Sequence, residues 1–167
     1  VKTSGLTGKT ITSHEVSHVL APRINALGRI GHALDALRLL CTTNKFRAEE
    51  LAQKLETINK ERQNLTLESS LHAKDLIKKI KQTEDKNIMI IADESYNQGI
   101  IGLIAGKLVE EYYLPAIVLS KGELLSKASA RSITGFNIVE AIRKHQSLLV
   151  DVGGHPMAAG FTIETSK

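Results

Sequence analysis

Asn87-Ile88-Met89-Ile90-Ile91-Ala92 is a short apolar run, and after Asn97-Gln98-Gly99 the period changes to that of an amphipathic helix, Ile100 to Tyr113. Pro115-Ala116-Ile117-Val118-Leu119 then supplies a second apolar run. Runs of this length and composition read as buried strands, and two strands joined through a helix form a βαβ unit with a parallel pair. Downstream, the sequence predicts a strand over Lys127 to Ser132, a turn at Thr134-Gly135, a helix over Asn137 to His145 capped by Asn137, and a closing strand at Phe161-Thr162-Ile163. The fold class is therefore α/β, with a mixed, partly parallel sheet flanked by helices.

Upstream the reading is helical. Thr12 to Ala21 predicts a short helix capped by Thr12 or Ser13 and ended by Pro22, with Pro22 to Gly31 as a loop holding two arginines and two glycines. His32 to Cys41 reads as a helix presenting Ala33, Leu37 and Leu40 on one face, and Asn44 offers the next cap. From Phe46 to Gln82 there is neither Pro nor Gly, and Leu51, Leu55, Ile58, Leu65, Leu76 and Ile80 form a near-heptad stripe. One long helix, or two collinear ones, would span on the order of 50 Å at 1.5 Å per residue. Arg62, Ser69 and His72 fall at seam positions, which argues against a homodimeric coiled coil and for a spacer between two lobes.

At 167 residues the chain is long enough for one ordinary domain, or for one domain with an appended helical arm. Lys plus Arg outnumber Asp plus Glu by 22 to 18, which permits polyanion binding, while an aromatic content of 4% without Trp disfavours recognition by extensive base stacking. A single cysteine, Cys41, lies in an apolar run and is expected in the core. It excludes an internal disulfide framework and a thiolate metal cluster, and points to a reducing, cytoplasmic setting. The longest apolar stretch, Ile100 to Leu108, is broken by glycines and Lys107, so no membrane segment is expected. The N-terminus carries neither Met nor a signal-peptide core, and the chain reads as an excised fragment.

Three constellations carry candidate chemistry. Gly153-Gly154-His155-Pro156-Met157-Ala158-Ala159-Gly160-Phe161 reads either as a tight turn or as a helix start at Pro156 that aims free amides and His155 at an anion. Arg23-Ile24-Asn25-Ala26-Leu27-Gly28-Arg29 offers guanidinium forks for phosphate and an Asn for sugar or phosphate oxygens. Ser129-Ala130-Arg131-Ser132 sets another arginine between hydroxyls. His14-Glu15-Val16-Ser17-His18 matches the zinc-binding H-E-x-x-H pattern. Its helix is short, however, and a third ligand such as Glu49 lies on the long helix, so capping or exposed histidines are expected. Asp93, Asp151 and the scattered glutamates show no cluster fit for two metals.

Taken together these residues resemble the RecJ family of single-stranded-DNA-specific exonucleases. Ala21-Pro22-Arg23-Ile24-Asn25-Ala26-Leu27-Gly28-Arg29 is similar to that family's arginine signature, and Gly99 to Leu108 to its G-V-I-G-I-V-A-S-R-L helix. Ser129-Ala130-Arg131-Ser132-Ile133 is similar to S-G-R-S-I, and Gly153-Gly154-His155 with Ala158-Ala159-Gly160-Phe161 to G-G-H-x-x-A-A-G-F. The last motif alone is shared by other proteins with DHH-associated domains, including nanoRNases and pAp phosphatases. Where the family usually has Trp-His-Pro-Gly, this chain has Tyr96-Asn97-Gln98-Gly99.

The resemblance implies a helical remnant of a DHH catalytic lobe over 1–45, a connecting helix over 46–85, and a DHH-associated nucleic-acid-binding domain over 86–167. It implies that Ser129 and Arg131 hold the 5′ phosphate, that Ser132, Gly153 and Gly154 belong to the same substrate- and phosphate-binding set, that Arg23, Asn25 and Arg29 contact the DNA backbone, and that His155 serves catalysis beside the scissile phosphate. It further implies 5′-to-3′ hydrolysis of single-stranded DNA in repair and recombination. The Mn²⁺ or Mg²⁺ ions would be held by a DHH domain beyond this chain, so the chain alone is expected to hold no metal and to be inactive. A nuclease for short RNA or a pAp phosphatase, and a catalytically dead DHH-type binding protein, are the alternatives.

Overall fold

The computed structural model describes residues 2–81 and 87–167. They divide into two compact units, one up to Leu65 and one from Thr66 onward. In the first, Thr12 caps α1 (Ser13–Glu15) with a reciprocal capping box: the Thr12 hydroxyl accepts from the His14 amide at 3.2 Å, and the Glu15 carboxylate accepts from the Thr12 amide at 2.9 Å. A π-helical turn, Val16–Leu20, leads directly into α2 (Ala21–Ile30). Pro22 therefore does not end the helix, and the expected arginine loop is helical. The wider π turn bonds the Ala21 amide to the Val16 carbonyl, five residues back, and leaves Pro22 in the opening turn of α2, where its missing N–H and fixed φ are tolerated.

α3 (Ala33–Cys41) forms where the sequence predicts it but turns a different face inward. Asp35 and Ala36 are buried, while Leu34, Leu37 and Leu40 are exposed, as is Cys41, which was expected in the core. Two contacts explain the rotation. Asp35 accepts from Lys54 at 2.5 Å and from Arg38 at 2.9 Å, and Ala36 packs with Leu27 and Leu55.

α4 (Lys45–Lys81) is one unbroken helix of 37 residues opened by the Asn44 side chain, which accepts from the Arg47 amide at 3.1 Å. The continuation of the expected helix to 85, and the Ile80 side chain, lie outside the described residues. Leu51 and Leu55 are buried as the stripe predicts. Beyond them the buried positions slide to Asn59, Thr66, Ser70, Ala73 and Ile77. A straight helix repeats every 3.6 residues rather than 3.5, so a heptad reading drifts off the true face within two or three heptads. Ser70 is accommodated by donating to the Thr66 carbonyl.

The second unit holds β1 (Met89–Asp93), α5 (Ile101–Tyr112), β2 (Ala116–Ser120), β3 (Leu125–Arg131), α6 (Ile138–Arg143), a short 3₁₀ turn, β4 (Leu149–His155) and β5 (Ala158–Glu164). The sheet order is β1-β2-β3-β5-β4, with β1 and β2 parallel and the other pairs antiparallel. Ile138, Val139 and Ile142 of α6 cover one face through Ile117, Ala128, Ala130 and Ala159. α5 lies on the opposite face and buries Ile101, Ile104, Ala105 and Leu108.

The glycine–histidine segment is not a helix start. It is the β4–β5 hairpin, with Pro156-Met157 as the turn between paired His155 and Ala158. Proline suits a tight turn as well as a first helical turn, and tertiary bonds select the turn. The Ser132 amide donates to the Met157 carbonyl at 2.9 Å, and the Ile138 amide to the Pro156 carbonyl at 3.1 Å. Gly154 has φ +146°, and a Cβ there would lie 2.3 Å from the Ala158 carbonyl oxygen, so only glycine fits.

Candidate nucleic-acid interface

Cross-strand register brings two of the sequence-predicted motifs onto one surface. Ser129 pairs with Gly160, which pairs with Gly153; Arg131 pairs with Ala158, which pairs with His155. Directly paired residues project to the same face, so Ser129, Arg131 and His155 share one side of the sheet, floored by Gly160, Gly153 and Ala158. Arg131 and His155 stand two strands apart, roughly 10 Å between Cα atoms. The start of α5 bounds this shelf. A Cβ on Gly102 would lie 2.9 Å from both the Arg131 Nη2 and the Ser129 hydroxyl. α5 begins without a side-chain cap, so its amide dipoles add positive potential beside a guanidinium and a hydroxyl. The Arg131 guanidinium is braced by the Ser129 hydroxyl at 3.1 Å and the Ala130 carbonyl at 2.8 Å.

The remaining predicted residues of this motif have other positions. Ser132 is buried on the opposite side of its strand and donates to the Phe136 carbonyl at 2.6 Å, so it shapes the loop instead of facing the shelf. Gly154 also turns away from the shelf, and Gly153 forms part of its floor. The Met157 amide donates to His155 Nδ1 at 3.4 Å, which leaves Nε2 to carry the ring proton as a donor. In the helical unit, Asn25 and Arg29 are exposed one turn apart on α2. Arg23 is on another face, where it is half-buried, pairs with Glu56 at 2.6 Å and donates to the Val19 carbonyl at 2.7 Å. Its guanidinium joins α2 to α4.

Residues 85–167 match the DHHA1 domain. Over 166 residues the chain is 40% identical to the single-stranded-DNA-specific exonuclease RecJ of Bacillus subtilis, covering 98% of this chain and 21% of that protein. To the RecJ of Thermus thermophilus it is 35% identical over 161 residues, 96% of this chain and 22% of the relative. The crystal structure of Thermus thermophilus RecJ in complex with Mg²⁺ superposes with a TM-score of 0.80 at 30% identity, over 99% of this chain and 25% of that one. The chain belongs to the RecJ family. It spans about a fifth of the length of the two RecJ sequences it matches here.

Within this RecJ-family chain the other polar constellations have structural tasks. His14 and His18 stack at 4.4 Å, and Glu15 is committed to the cap, where hydrogen bonds from Thr12 hold its carboxyl down at about 2. Asp93 accepts from the Ser95 amide and hydroxyl at 2.9 and 2.6 Å, which lowers its pKa. No group of three or more His, Cys, Asp or Glu side chains among the described residues is disposed to hold a metal ion, so these residues do not fit a two-metal centre. Tyr96, at the family's Trp position, is buried, and burial pushes its phenol up to about 12. It lies 3.1 Å from His72 Nδ1 and ties α4 to the segment preceding α5. A cleft of about 520 Å³ in the helical unit is lined by Leu20, Ile24, Leu39 and the first turns of α4, and includes neither Asn25 nor Arg29. No helix of the described residues is long and apolar enough to cross a membrane.

Sequence reasoning missed Gly102. It stands inside a segment quoted for resemblance, and its role emerges only from the packing of α5 on β3. The spacing of Ser129 and Arg131, two residues apart in a strand, did signal a shared face.

Proposed function

We propose that this chain is the substrate-binding part of a 5′-to-3′ single-stranded-DNA exonuclease acting in repair and recombination in the cytoplasm. Residues 1–45 would belong to its catalytic lobe, 46–85 to a connecting helix and 86–167 to the DNA-binding domain. The observation that carries the reading is the shelf of Ser129, Arg131 and the uncapped α5 start at Gly102, continued over Gly160 and Gly153 to His155. A terminal phosphate needs charge, hydroxyl and amide donors at once, and the shelf offers all three within one turn of α5. The small floor admits a sugar and base between Arg131 and His155, and His155 donates from Nε2 to an oxygen of the next phosphate.

Two Mn²⁺ or Mg²⁺ ions, held by residues of the full-length protein beyond this chain, would supply the activated water. Relatives solved with Mg²⁺ and with Mn²⁺ support that expectation. This chain's share is to hold the 5′ end, orient the strand and offer a donor at the reacting phosphate. Asn25 and Arg29 contact the sugar–phosphate backbone. Arg23, committed to Glu56, supports α2 without touching DNA.

The test is Arg131→Ala in the full-length protein, measured on 5′-phosphorylated and 5′-hydroxyl single strands. We expect about a tenfold loss of affinity on the phosphorylated strand, the scale of one charge-assisted hydrogen-bond pair, and little change on the other. Equal losses would refute the 5′-phosphate assignment. Faster degradation of di- to pentanucleotides than of long strands would favour the short-oligonucleotide reading.

A further inference from the structure

Beside the Ser129, Gly160 and Gly153 row of the shelf lies a further row across the same three strands. Lys127 pairs with Thr162, and Thr162 with Asp151. The pleat puts all three side chains on the shelf face with Arg131 and His155, while Ala128, Phe161 and Val152 turn to the opposite face under α6. Thr162 is only 6% exposed, and its hydroxyl has no hydrogen-bond partner among the described residues. The oxygen is not sealed from the surface, so it opens onto the shelf. Lys127 and Asp151 on either side are exposed, stand roughly 10 Å apart between Cα atoms, and form no ion pair among the described residues. A nearly buried hydroxyl without a partner costs stability, and valine of the same shape would remove that cost. The row thus sets a cation, an unused hydroxyl and a carboxylate in one line, next to a floor that bears no side chains at Gly160 and Gly153.

A flat ring with polar atoms along one edge matches that arrangement. We propose that the 5′-terminal base lies on the Gly160 and Gly153 floor with its pairing edge against Lys127, Thr162 and Asp151, so that the site selects the identity of the first nucleotide. Successive rows are roughly 7 Å apart, about the reach of a base from its sugar to its pairing edge. The ammonium donates and the carboxylate accepts, so the base must offer an acceptor at one end of that edge and a donor at the other. Guanine does so through O6 and its N2 amino group, and cytosine through O2 and its N4 amino group. Thymine presents acceptors at both ends, and adenine a donor at one end and a bare C–H at the other. The Thr162 hydroxyl serves either fitting base, accepting from guanine N1 or donating to cytosine N3. Guanine and cytosine carry their ends in opposite order, so the ring face that rests on the floor decides which of the two is preferred. This inference rests on the strand path proposed above, with the sugar between Arg131 and His155, and adds recognition of the base to that of the phosphate.

The experiment measures equilibrium binding of the full-length protein to 5′-phosphorylated single strands that differ only in the first nucleotide, with Asp151→Ala and Thr162→Val variants. For the parent we expect binding about fivefold tighter to the strand that begins with guanine, or to the one that begins with cytosine, than to the one that begins with thymine, the scale of one net hydrogen bond. Asp151→Ala is expected to bring that ratio below about twofold by losing affinity for the preferred base alone. Its binding of the thymine strand stays the same or improves, because a carboxylate no longer faces an acceptor. Thr162→Val is expected to melt at or above the temperature of the parent, since valine suits a strand and leaves no hydroxyl unpartnered, while the ratio falls about threefold. Equal binding of all the strands by the parent, or a preference for thymine or adenine, overturns the proposal. So does an Asp151→Ala protein that weakens every strand alike, or a folded Thr162→Val protein with the full ratio. If the preference for a 5′ phosphate persists in those cases, the function proposed above stands without base selection. Failure of the parent to bind any single strand sinks that function and this inference with it.

Discussion

Gly102 and Gly154 border the same sheet and are required for different reasons. At Gly154 the backbone itself excludes a side chain, because φ is +146° and the Ala158 carbonyl would lie 2.3 Å from a Cβ. At Gly102 the backbone is ordinary α-helix, and what a methyl would meet is the flexible tip of Arg131 and the Ser129 hydroxyl, each at 2.9 Å. A methyl there can be absorbed by displacing the guanidinium. Gly102→Ala is therefore expected to fold with undiminished stability, helped by the better helix propensity of alanine, while losing most of the preference for a 5′-phosphorylated strand. A melting curve together with paired binding measurements in the full-length protein checks this. A large drop in melting temperature with the preference intact would show that Gly102 serves packing alone. At this scale the sequence was informative about Ser129, Arg131 and His155, because their side-chain types and spacing are chemical statements. It was silent about Gly102, whose significance is the absence of atoms near two residues far along the chain.

Among the elements, α3 shows how periodicity can establish a helix without establishing its inward face. Leu34, Leu37 and Leu40 offer the more apolar side, yet Asp35 and Ala36 are buried. The carboxylate is held by Lys54 on α4 and by Arg38, and hydrogen bonds from these two lower its pKa below the ordinary carboxylate value. The sign follows directly. A group whose pKa is lower folded than unfolded contributes stability that is complete above its unfolded value, about 4, and is lost as pH falls through the folded value. Asp35→Asn is expected to lower the melting temperature of the chain at pH 7, with the gap to the parent narrowing steadily below about pH 4. Thermal melts at a series of pH values measure it, and a gap independent of pH would mean that Asp35 acts through shape and not charge. α2 makes a related point, since Pro22 was a stop signal by local rules. A π turn upstream absorbed it, and the arginine motif became helical, separating Arg23 from Asn25 and Arg29 onto different faces.

For the whole molecule, the division of labour is set by which groups gather. Cationic and hydroxyl groups converge with bare backbone in the second unit, whereas no group of three or more metal-ligating side chains does so among the described residues. The purified chain is accordingly expected to release no nucleotides from single-stranded DNA in Mn²⁺ or Mg²⁺ buffer, while the full-length protein does so under the same conditions. Robust metal-dependent release by the chain alone, free of contaminating nuclease, would overturn that division. By itself the sequence determined the α/β class, the βαβ start of the sheet, an extended helical stretch before it and the family, since these depend on local periodicity and on motifs with fixed order; that the stretch is one unbroken helix was decided by the structure. Tertiary structure alone decided the buried faces of α3 and α4, the hairpin at His155, the exposure of Cys41 and the union of Gly102 with Ser129 and Arg131. The physical reason is that a side chain's inward or outward direction, and the choice of proline between turn and helix, are settled by contacts between residues distant in sequence. Local pattern carries no record of those contacts.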